Sequence, residues 1–180
     1  MMNKPRGVIT TASDEKGRNT VYGILEKLGL PWVSPVGRLD KASEGLLLLT
    51  NDSEWAAKIL APETHLEKTY HVRVDAPIAD ALVEQLLAGV KTELGLLRAK
   101  RARVVRGGNR RTWIEIVLDE GKNRQIRRMF EHFGIEVLRL VRIAIGPLAL
   151  GQLAKGQTRA LTQHEKKFLD RALGFYRVNG

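Results

Sequence analysis

The sequence predicts an α+β fold: a mixed, largely antiparallel sheet with flanking helices, built as two lobes around a cleft. Several short runs alternate apolar and polar residues and are rich in β-branched side chains, which is typical of half-buried strands. Other segments repeat apolar residues every three or four positions, which is typical of helices. The polar turn RGGNRR at residues 106–111 joins two of the runs so closely that it predicts an antiparallel hairpin.

Seven runs are predicted as strands. In chain order they cover residues 6–10, 33–36, 46–50, 69–75, 99–105, 112–118 and 137–145. Glycine, proline or polar residues bound each run and favour turns there. Because several connections are short, antiparallel pairing is favoured over a doubly wound parallel sheet.

Four segments are predicted as helices. The apolar faces of the first three are Val21, Ile24, Leu25 and Leu28; Ile78, Leu82, Leu86 and Leu87; and Ile126, Met129, Phe130 and Phe133. Gly134 ends the third helix, because glycine is favoured just after the last helical residue. The last helix is predicted over residues 163–173, with Thr162 as its N-cap.

The length of 180 residues and the 43% hydrophobic content are sufficient for one domain with a hydrophobic core. We therefore predict a single domain over residues 1–180, with a junction between its lobes near residues 74–80, VDAPIAD. No window approaches the roughly 18 apolar residues of a membrane span, and the first residues lack the apolar segment of a signal peptide. A cytoplasmic protein is predicted.

Several kinds of chemistry are not indicated by the sequence. The chain has no cysteine, which excludes disulfides and thiolate chemistry. The four histidines fall singly on different predicted elements, so a metal site is not expected. The sequence contains neither of the glycine-rich patterns that bind nucleotide phosphates and no G-x-S-x-G elbow. We expect no cofactor.

The charge of the chain indicates a polyanionic partner. The formal net charge is +10, from 30 lysines and arginines against 20 acidic residues. Residues 98–142 alone hold 13 basic and 5 acidic residues, a net charge of +8. Such a concentration is typical of nucleic-acid binding, although a basic face kept for solubility is the alternative.

Three polar groupings stand out: NKPRG at residues 3–7, GRLD at 37–40 and EGKNRQIRRMFEHFG at 120–134. In the third, Arg124, Arg127, Arg128 and Glu131 are spaced by three and four residues, opposite the apolar face of the predicted helix. The alternative interpretation is an ordinary solvated helix surface. Few acidic neighbours, together with Lys122, favour a binding role.

Five segments of the chain, taken together, resemble a known family. They are NKPRGVITT, GRLDKASEGLLLLTND, KTYHVRV, EGKNRQIRRMF and RIAIGPLALGQLAKGQTRALT. In this order they are similar to the successive motifs of the RsuA-type ribosomal RNA pseudouridine synthases, over about residues 3–165. The resemblance implies an isomerase that converts uridine to pseudouridine in ribosomal RNA, with the large subunit as the expected substrate. A monomer without a cofactor is expected.

The sequence departs from the family pattern in three places. Many members carry an N-terminal S4-like RNA-binding domain, whereas only Met1 and Met2 precede the first motif here. We therefore expect that this domain is either absent, as in a minority of members, or has been removed. Ser43 stands where the family usually has threonine, and Ser53 where it usually has glycine. We expect the hydroxyl at residue 43 to keep its role and the turn at residue 53 to shift slightly.

The resemblance implies roles for three catalytic residues. Asp40 is the catalytic aspartate, Arg127 the arginine that pairs with it and keeps it ionised, and Tyr70 the aromatic residue that stacks on the target base. One carboxylate suffices for the isomerisation, because it can either add to C1′ or remove the 2′ proton; the sequence leaves both routes open. Taken alone, GRLD is also compatible with a surface turn in which Asp40 merely pairs with Arg38.

The remaining predicted site residues bind RNA. By resemblance, Arg38 inserts into the stack where the flipped uridine was. Lys68 shares a strand face with Tyr70 and is predicted to contact a phosphate. Phosphate contacts are also predicted for Lys122, Arg124 and Arg128. No chemistry is assigned to Asn3, Lys4 or Pro5, which are expected to be structural.

Two other functions are compatible with parts of the sequence. A non-catalytic RNA-binding or ribosome-assembly factor could share the fold, but Asp40, Arg127 and Tyr70 are all retained, which favours an enzyme. A glycosidase is less well supported, because no motif supplies a second carboxylate as acid or base partner.

Overall fold

The computed structural model describes residues 1–11 and 19–175. The strands are β1 (Met2–Lys4), β2 (Ser34–Pro35), β3 (Glu44–Leu47), β4 (Leu49–Thr50), β5 (Lys68–Val74), β6 (Val90–Thr92), β7 (Gly95–Leu97), β8 (Arg101–Arg106), β9 (Thr112–Leu118), β10 (Val137–Ile145) and β11 (Leu148–Ala149). The α-helices are α1 (Val21–Leu25), α2 (Ser53–Leu60), α3 (Asp80–Ala88), α4 (Gln125–His132) and α5 (Gln163–Ala172), with short 3₁₀ helices at Glu26–Leu28 and Pro62–Thr64.

Seven strands form a mixed, largely antiparallel sheet, which confirms the predicted α+β class. Their order is β1-β3-β10-β5-β9-β8, and β11 pairs with β10. The pairs β1–β3, β5–β9, β8–β9 and β10–β11 are antiparallel. Two further antiparallel pairs, β2–β4 and β6–β7, lie outside this sheet.

The chain separates into two compact units, with boundaries after residue 66 and after residue 141. The second unit is Glu67–Val141, and the first contains the chain on both sides of it. Residues 74–80, where the sequence predicts a junction, lie within the second unit. They are tied there by bonds from the Asp75 amide to the Glu136 carbonyl and from the Thr112 hydroxyl to the Ala76 carbonyl.

One apolar cluster of the first unit includes Leu39 of the GRLD loop. Its buried members are Met2, Val8, Val21, Leu25, Leu39 and Leu47. Gly45 lies where β3 approaches residue 142 so closely that a Cβ would sit 2.3 Å from the carbonyl oxygen of Arg142, and its φ is +105°. Only glycine fits this approach, which fixes the strand that follows the GRLD loop.

The second unit has its core between its strands and two helices. One face of β5 and β9 contributes Val72, Val74, Ile114 and Ile116, all fully buried. Residues of α3 and α4, including Leu86, Met129 and Phe130, pack against that face. The helix α4 ends at His132, and Gly134 follows its C-cap residue in the left-handed conformation, so the sequence predicted this stop correctly.

Most of the predicted elements are confirmed. Residues 112–118 and 137–145 are strands with the predicted bounds. The strands predicted at 33–36, 46–50, 69–75 and 99–105 occur with shifted ends, the second of them in two pieces. The four predicted helices are present, and Thr162 caps α5 through a capping box with Glu165.

The prediction of a strand at residues 6–10 is wrong. The strand lies earlier, at Met2–Lys4, and the chain then turns, with Gly7 at a φ of 91°. Residues 8 and 10 are buried because this loop packs into the core, so the alternation did not indicate a strand. The sequence also missed α2 and the β6–β7 pair, and it placed Leu87 on a buried face although that side chain is 38% exposed.

Candidate active site

The GRLD loop connects β2 to β3 in the first unit and carries Asp40. Val36 and Leu39 are buried in this loop, whereas Asp40 is half-buried and Arg38 is exposed. Leu39 belongs to the apolar core of the unit, so the residue next to the carboxylate is anchored by packing. The arrangement leaves Asp40 at the border between core and solvent.

Hydrogen bonds fix the backbone on both sides of Asp40. The Thr10 hydroxyl donates to the Leu39 carbonyl at 3.0 Å and accepts from the Leu39 amide at 3.3 Å. The amide of Gly7 donates to the Lys41 carbonyl at 2.7 Å, and the amide of Ser43 donates to the Asp40 carbonyl at 2.9 Å. The backbone that carries the Asp40 carboxylate is thus held in place before any substrate binds.

Lys4 is fully buried in the segment that supports this loop. Its amino group donates to the Val8 carbonyl at 2.6 Å and to the Pro5 carbonyl at 3.0 Å. Burial lowers the pKa of Lys4 to about 8, while the negative charges of Asp40 and Glu44 act in the opposite direction. The Lys4 amino group, in the NKP segment, therefore interacts electrostatically with Asp40. The sequence predicts this segment to be purely structural.

Asn3 and Glu44 connect the active-site loop region to the segment after β11. The Asn3 side-chain amide donates to the Leu153 carbonyl at 2.7 Å, and its backbone amide to the Gln157 carbonyl at 3.0 Å. The buried Glu44 carboxylate lies 2.7 Å from the Lys155 amino group. These bonds agree with the structural role predicted for Asn3; Glu44 and Lys155 were not found from the sequence.

The pairing of Arg38 with Asp40, which would explain GRLD as a plain surface turn, is not observed. Among residues 1–11 and 19–175 no ion pair joins these two side chains. The exposed guanidinium of Arg38 therefore does not balance the Asp40 charge.

Lys68 and Tyr70 lie on the same face of β5 in the second unit, as predicted, and both are half-buried. Tyr70 is opposite Ile116 in the sheet and packs against the core of the unit. Its ring is thus partly a packing element, as an ordinary strand tyrosine would be. The residue as a whole is half-buried, so part of it reaches the surface.

The loop before α4 differs from the prediction in one respect. Arg124 does not lie on the helix: it is the N-cap residue, in the left-handed conformation with a φ of 49°. A non-glycine residue in this conformation is uncommon and costs free energy. Lys122 and Arg124 are both exposed in this loop.

Arg127 and Arg128 lie in the first turns of α4 and are half-buried. One guanidinium nitrogen of Arg127 donates to the Val137 carbonyl at 3.4 Å. The Arg128 guanidinium donates to the Asn123 carbonyl at 3.2 Å and lies 3.9 Å from the Glu93 carboxylate.

Lys122 also has an acidic neighbour. Its amino group donates to the Leu96 carbonyl at 3.2 Å and lies 3.1 Å from the Glu120 carboxylate. From the sequence, few acidic partners are expected near these cations. Since Lys122 and Arg128 each have one, a phosphate would have to replace it.

Gln125 was missed by the sequence analysis. Only 3% of this residue is exposed. Its amide nitrogen donates to the Arg98 carbonyl at 3.1 Å and to the Glu120 carboxylate at 2.6 Å. It therefore anchors the start of α4 to the chain after β7. Its burial could have been predicted from spacing, because Gln125 precedes the buried Met129 by one helical turn and so lies on the same face of α4.

The structure distributes the predicted site residues over both units. The first unit contains Arg38 and Asp40, and the second contains Lys68, Tyr70, Lys122, Arg124, Arg127 and Arg128. No group of three or more histidine and acidic residues in the described part of the chain could hold a metal ion. Within the same residues, no helix is long and apolar enough to cross a membrane.

A family model described as RNA pseudouridylate synthase matches residues 1–132. The chain belongs to the RNA pseudouridylate synthase family. This confirms the family to which the sequence motifs point, and the protein is an RNA pseudouridine synthase enzyme.

Individual relatives of this pseudouridine synthase agree with that assignment. The chain is 39% identical over 181 residues to ribosomal large subunit pseudouridine synthase B of Bacillus subtilis. The matched region covers 99% of this chain and 73% of that protein. It is 41% identical over 151 residues to the protein of the same name from Haemophilus influenzae, covering 83% of this chain and 42% of that protein.

Solved structures support the fold. A crystal structure of pseudouridylate synthase matches with a TM-score of 0.79 at 29% identity, over 93% of this chain and 71% of that one. The α+β architecture inferred from sequence periodicity is therefore the architecture of a solved pseudouridylate synthase.

Proposed function

We propose that this pseudouridine synthase isomerises a uridine of large-subunit ribosomal RNA, with Asp40 as the catalytic carboxylate. The observation that carries the proposal is the loop of Asp40, whose backbone is fixed by Thr10, Gly7 and Ser43 while the carboxylate itself stays half-buried. The names of the relatives from Bacillus subtilis and Haemophilus influenzae support large-subunit RNA as the substrate.

The reaction needs one carboxylate and no co-reactant. The bond between N1 and C1′ breaks, the uracil turns, and a bond forms between C5 and C1′; the C5 proton leaves and N1 gains one. In one route the Asp40 carboxylate adds to C1′ and is later displaced by C5. In the other it takes the 2′ proton and returns it. Both routes regenerate the ionised carboxylate.

Arg127 and Tyr70 are proposed to assist Asp40, as the family resemblance implies. Arg127 is half-buried, and its planar guanidinium is a group that can bind the catalytic carboxylate with two parallel hydrogen bonds. Tyr70 presents the exposed part of its ring for stacking on uracil. Arg38, exposed in the GRLD loop, is proposed to fill the gap left when the uridine leaves the RNA stack.

Phosphate contacts are proposed for the basic residues of the second unit. Lys68 lies beside Tyr70 on β5, and Arg124 projects from the loop before α4. Lys122 and Arg128 are proposed to exchange Glu120 and Glu93 for phosphate oxygens. These acidic partners would limit the binding energy that each cation supplies.

The proposal is tested with purified protein and transcripts of large- and small-subunit ribosomal RNA that carry tritium at C5 of uridine. Release of tritium reports the loss of the C5 proton, and chemical mapping of pseudouridine identifies the position. We expect modification of the large-subunit transcript at a defined uridine. Modification confined to the small-subunit transcript would overturn the choice of substrate.

A further inference from the structure

The sheet of the second unit has two different faces. Val72, Val74 and Ile114 point into the core beneath α3 and α4. Since side chains alternate along a strand, Arg73 and Trp113 lie on the opposite face. The proposed active-site residues of β5, Lys68 and Tyr70, share the core-side face, so the opposite face is not part of that site.

On this opposite face, three residues form a row across three strands. Arg73 of β5 is opposite Trp113 of β9, and Trp113 is in turn opposite Arg106 of β8. Directly opposite residues of antiparallel strands lie on the same face of the sheet. A tryptophan is therefore flanked by an arginine on each side, and the two outer backbones are about 10 Å apart, which is twice the strand spacing.

A β-bulge creates this row. The pairs Arg103–Glu115 and Val104–Ile114 follow regular register, which would next place Val105 opposite Trp113. The register shifts after Val104, and Arg106 takes that place. Bulges re-aim side chains and are frequent beside functional sites. Here the bulge places Arg106, rather than Val105, opposite Trp113.

The charges of this row differ from those of its neighbours. In the next row, the Glu115 carboxylate is bonded by Arg103 at 2.8 Å and by His71 at 3.1 Å. Further along β8, Arg101 donates to the Glu67 carboxylate at 3.0 Å.

Arg73 and Arg106 have no such counter-charge. Within residues 1–11 and 19–175, no carboxylate pairs with either guanidinium. A third arginine, Arg139, lies over the Trp113 ring at 5.9 Å from its centroid. Among the described residues, Arg73 and Arg106 thus lack the carboxylate partners that Arg101 and Arg103 have.

We propose that Arg73, Trp113 and Arg106 form a second RNA-contact surface, which binds a single-stranded segment flanking the target uridine. Guanidinium groups bind phosphates with charge-assisted hydrogen bonds, and an aromatic ring between them gives a base a surface on which to stack. The inference rests on RNA as the substrate. It does not depend on Asp40 or on which ribosomal subunit supplies the RNA.

The competing explanation is protection of the sheet edge. β8 is the last strand of the sheet, and charged residues on an edge strand prevent pairing with other chains. This would account for Arg106, but not for Trp113 and Arg73, which lie on interior strands. An acidic protein is the other possible partner, and the experiment below separates both alternatives from RNA.

The test uses the intact protein and two RNAs that the wild type modifies: a minimal stem-loop, and the same stem-loop with single-stranded flanks. The double variant Arg73→Gln with Arg106→Gln removes both uncompensated cations. Arg101→Gln is the matched control, because it also removes one charge from β8, but from an arginine already paired with Glu67. KM and kcat are measured for each protein on each RNA at several salt concentrations.

We expect the double variant to raise KM on the flanked RNA about tenfold, with kcat within about twofold, and to leave the minimal RNA unaffected. Two lost phosphate contacts should reduce the salt slope by about 1.4 log units per log unit. The control should change KM less than about twofold. Trp113→Phe should keep the affinity for the flanked RNA that Trp113→Ala loses, since either ring can stack.

Unchanged KM and salt slope in the arginine double variant would overturn the inference and leave edge protection or an acidic protein as the explanation. Arg73 is half-buried and Arg106 is exposed, so their substitution should leave the protein folded. The test with the arginine double variant therefore remains decisive even if the Trp113 variants unfold. Wild-type activity on the two RNAs tests the proposed function separately, because the inference depends only on the ratio of variant to wild type.

Discussion

Thr10 holds both backbone groups of Leu39, the residue that precedes Asp40. Its hydroxyl donates to the Leu39 carbonyl at 3.0 Å and accepts from the Leu39 amide at 3.3 Å, across 29 residues of sequence. One side chain thus supplies both hydrogen bonds that a neighbouring strand would otherwise make to the backbone of Leu39. Both residues are buried, so no water would replace these bonds if they were lost.

Replacing Thr10 with valine should therefore damage both stability and catalysis. Valine keeps the shape but leaves the Leu39 carbonyl and amide without partners, so the free energy of unfolding should fall by about 1–3 kcal/mol. The single-turnover rate should fall as well, because the carboxylate loses its fixed position. Denaturant unfolding and tritium release measure the two effects. Thr10→Ser, which keeps the hydroxyl, should behave like the wild type.

Asp40→Asn should abolish pseudouridine formation and leave RNA binding within a few-fold. The amide keeps the size of the carboxylate but can neither add to C1′ nor remove a proton. Asp80→Asn, at an exposed position in the first turn of α3, is the matched control and should retain activity. Appreciable turnover by a pure Asp40→Asn protein would remove Asp40 from the mechanism.

RNA binding should weaken steeply with salt, because residues 98–142 carry a net charge of +8. Each phosphate contact of a single strand contributes roughly 0.7 log units of affinity per log unit of salt. Arg124→Ala should flatten the slope by about that amount. Lys122→Ala should flatten it less, because Glu120 already lies 3.1 Å from its amino group. An affinity that is indifferent to salt would contradict the electrostatic interpretation.

Arg127 is proposed to hold the catalytic carboxylate with its guanidinium fork. If it does, Arg127→Lys should lower the catalytic rate more than it weakens RNA binding, because lysine lacks the planar guanidinium fork. Arg127→Ala should lower the rate further, because the positive charge is lost as well. Single-turnover rates and RNA affinities compare the three proteins. Unchanged rates, with losses confined to affinity, would make Arg127 an ordinary phosphate contact.

Glu165 should make stability depend on pH at the acidic end. The Arg159 guanidinium and the Thr162 amide bind its carboxylate, and they lower its pKa from 4.5 to about 2. The unfolded chain therefore takes up the proton first as pH falls, so this stabilisation is complete above about pH 5 and is lost toward pH 2. The difference in unfolding free energy between wild type and Glu165→Gln should shrink over that range. Glu84→Gln, at an exposed position of α3, is the control.

Local sequence signals predicted the elements whose structure depends on nearby residues. Thr162 was predicted as the N-cap of the last helix, and it caps α5 there in a capping box with Glu165, a contact over three residues. The strand Thr112–Leu118 has one face in the core, so its alternation is strong. At residues 6–10 the same kind of signal failed, because a buried loop produced it.

The role proposed for Asp40 rests on the order of the motifs along the chain, and the spacing of GRLD alone left a surface turn as an alternative. The sequence also could not show how the carboxylate is held. The bonds of Thr10 to Leu39 and of Gly7 to Lys41 join residues that are distant in sequence, and they form only when the chain is folded. Gln125 was missed for the same reason, since its partner Arg98 lies 27 residues away.

By itself the sequence determined the α+β class, most of the strands and helices, the basic character of residues 98–142 and, through its motifs, the family. Periodicity, capping and net charge are properties of neighbouring residues or of the whole composition, so they can be seen without a fold. Only the tertiary structure decided that Thr10 fixes the Asp40 loop and that Arg106, rather than Val105, lies opposite Trp113. A one-residue shift in strand register changes which side chain faces a partner, and that shift is set by packing between strands rather than by any single strand.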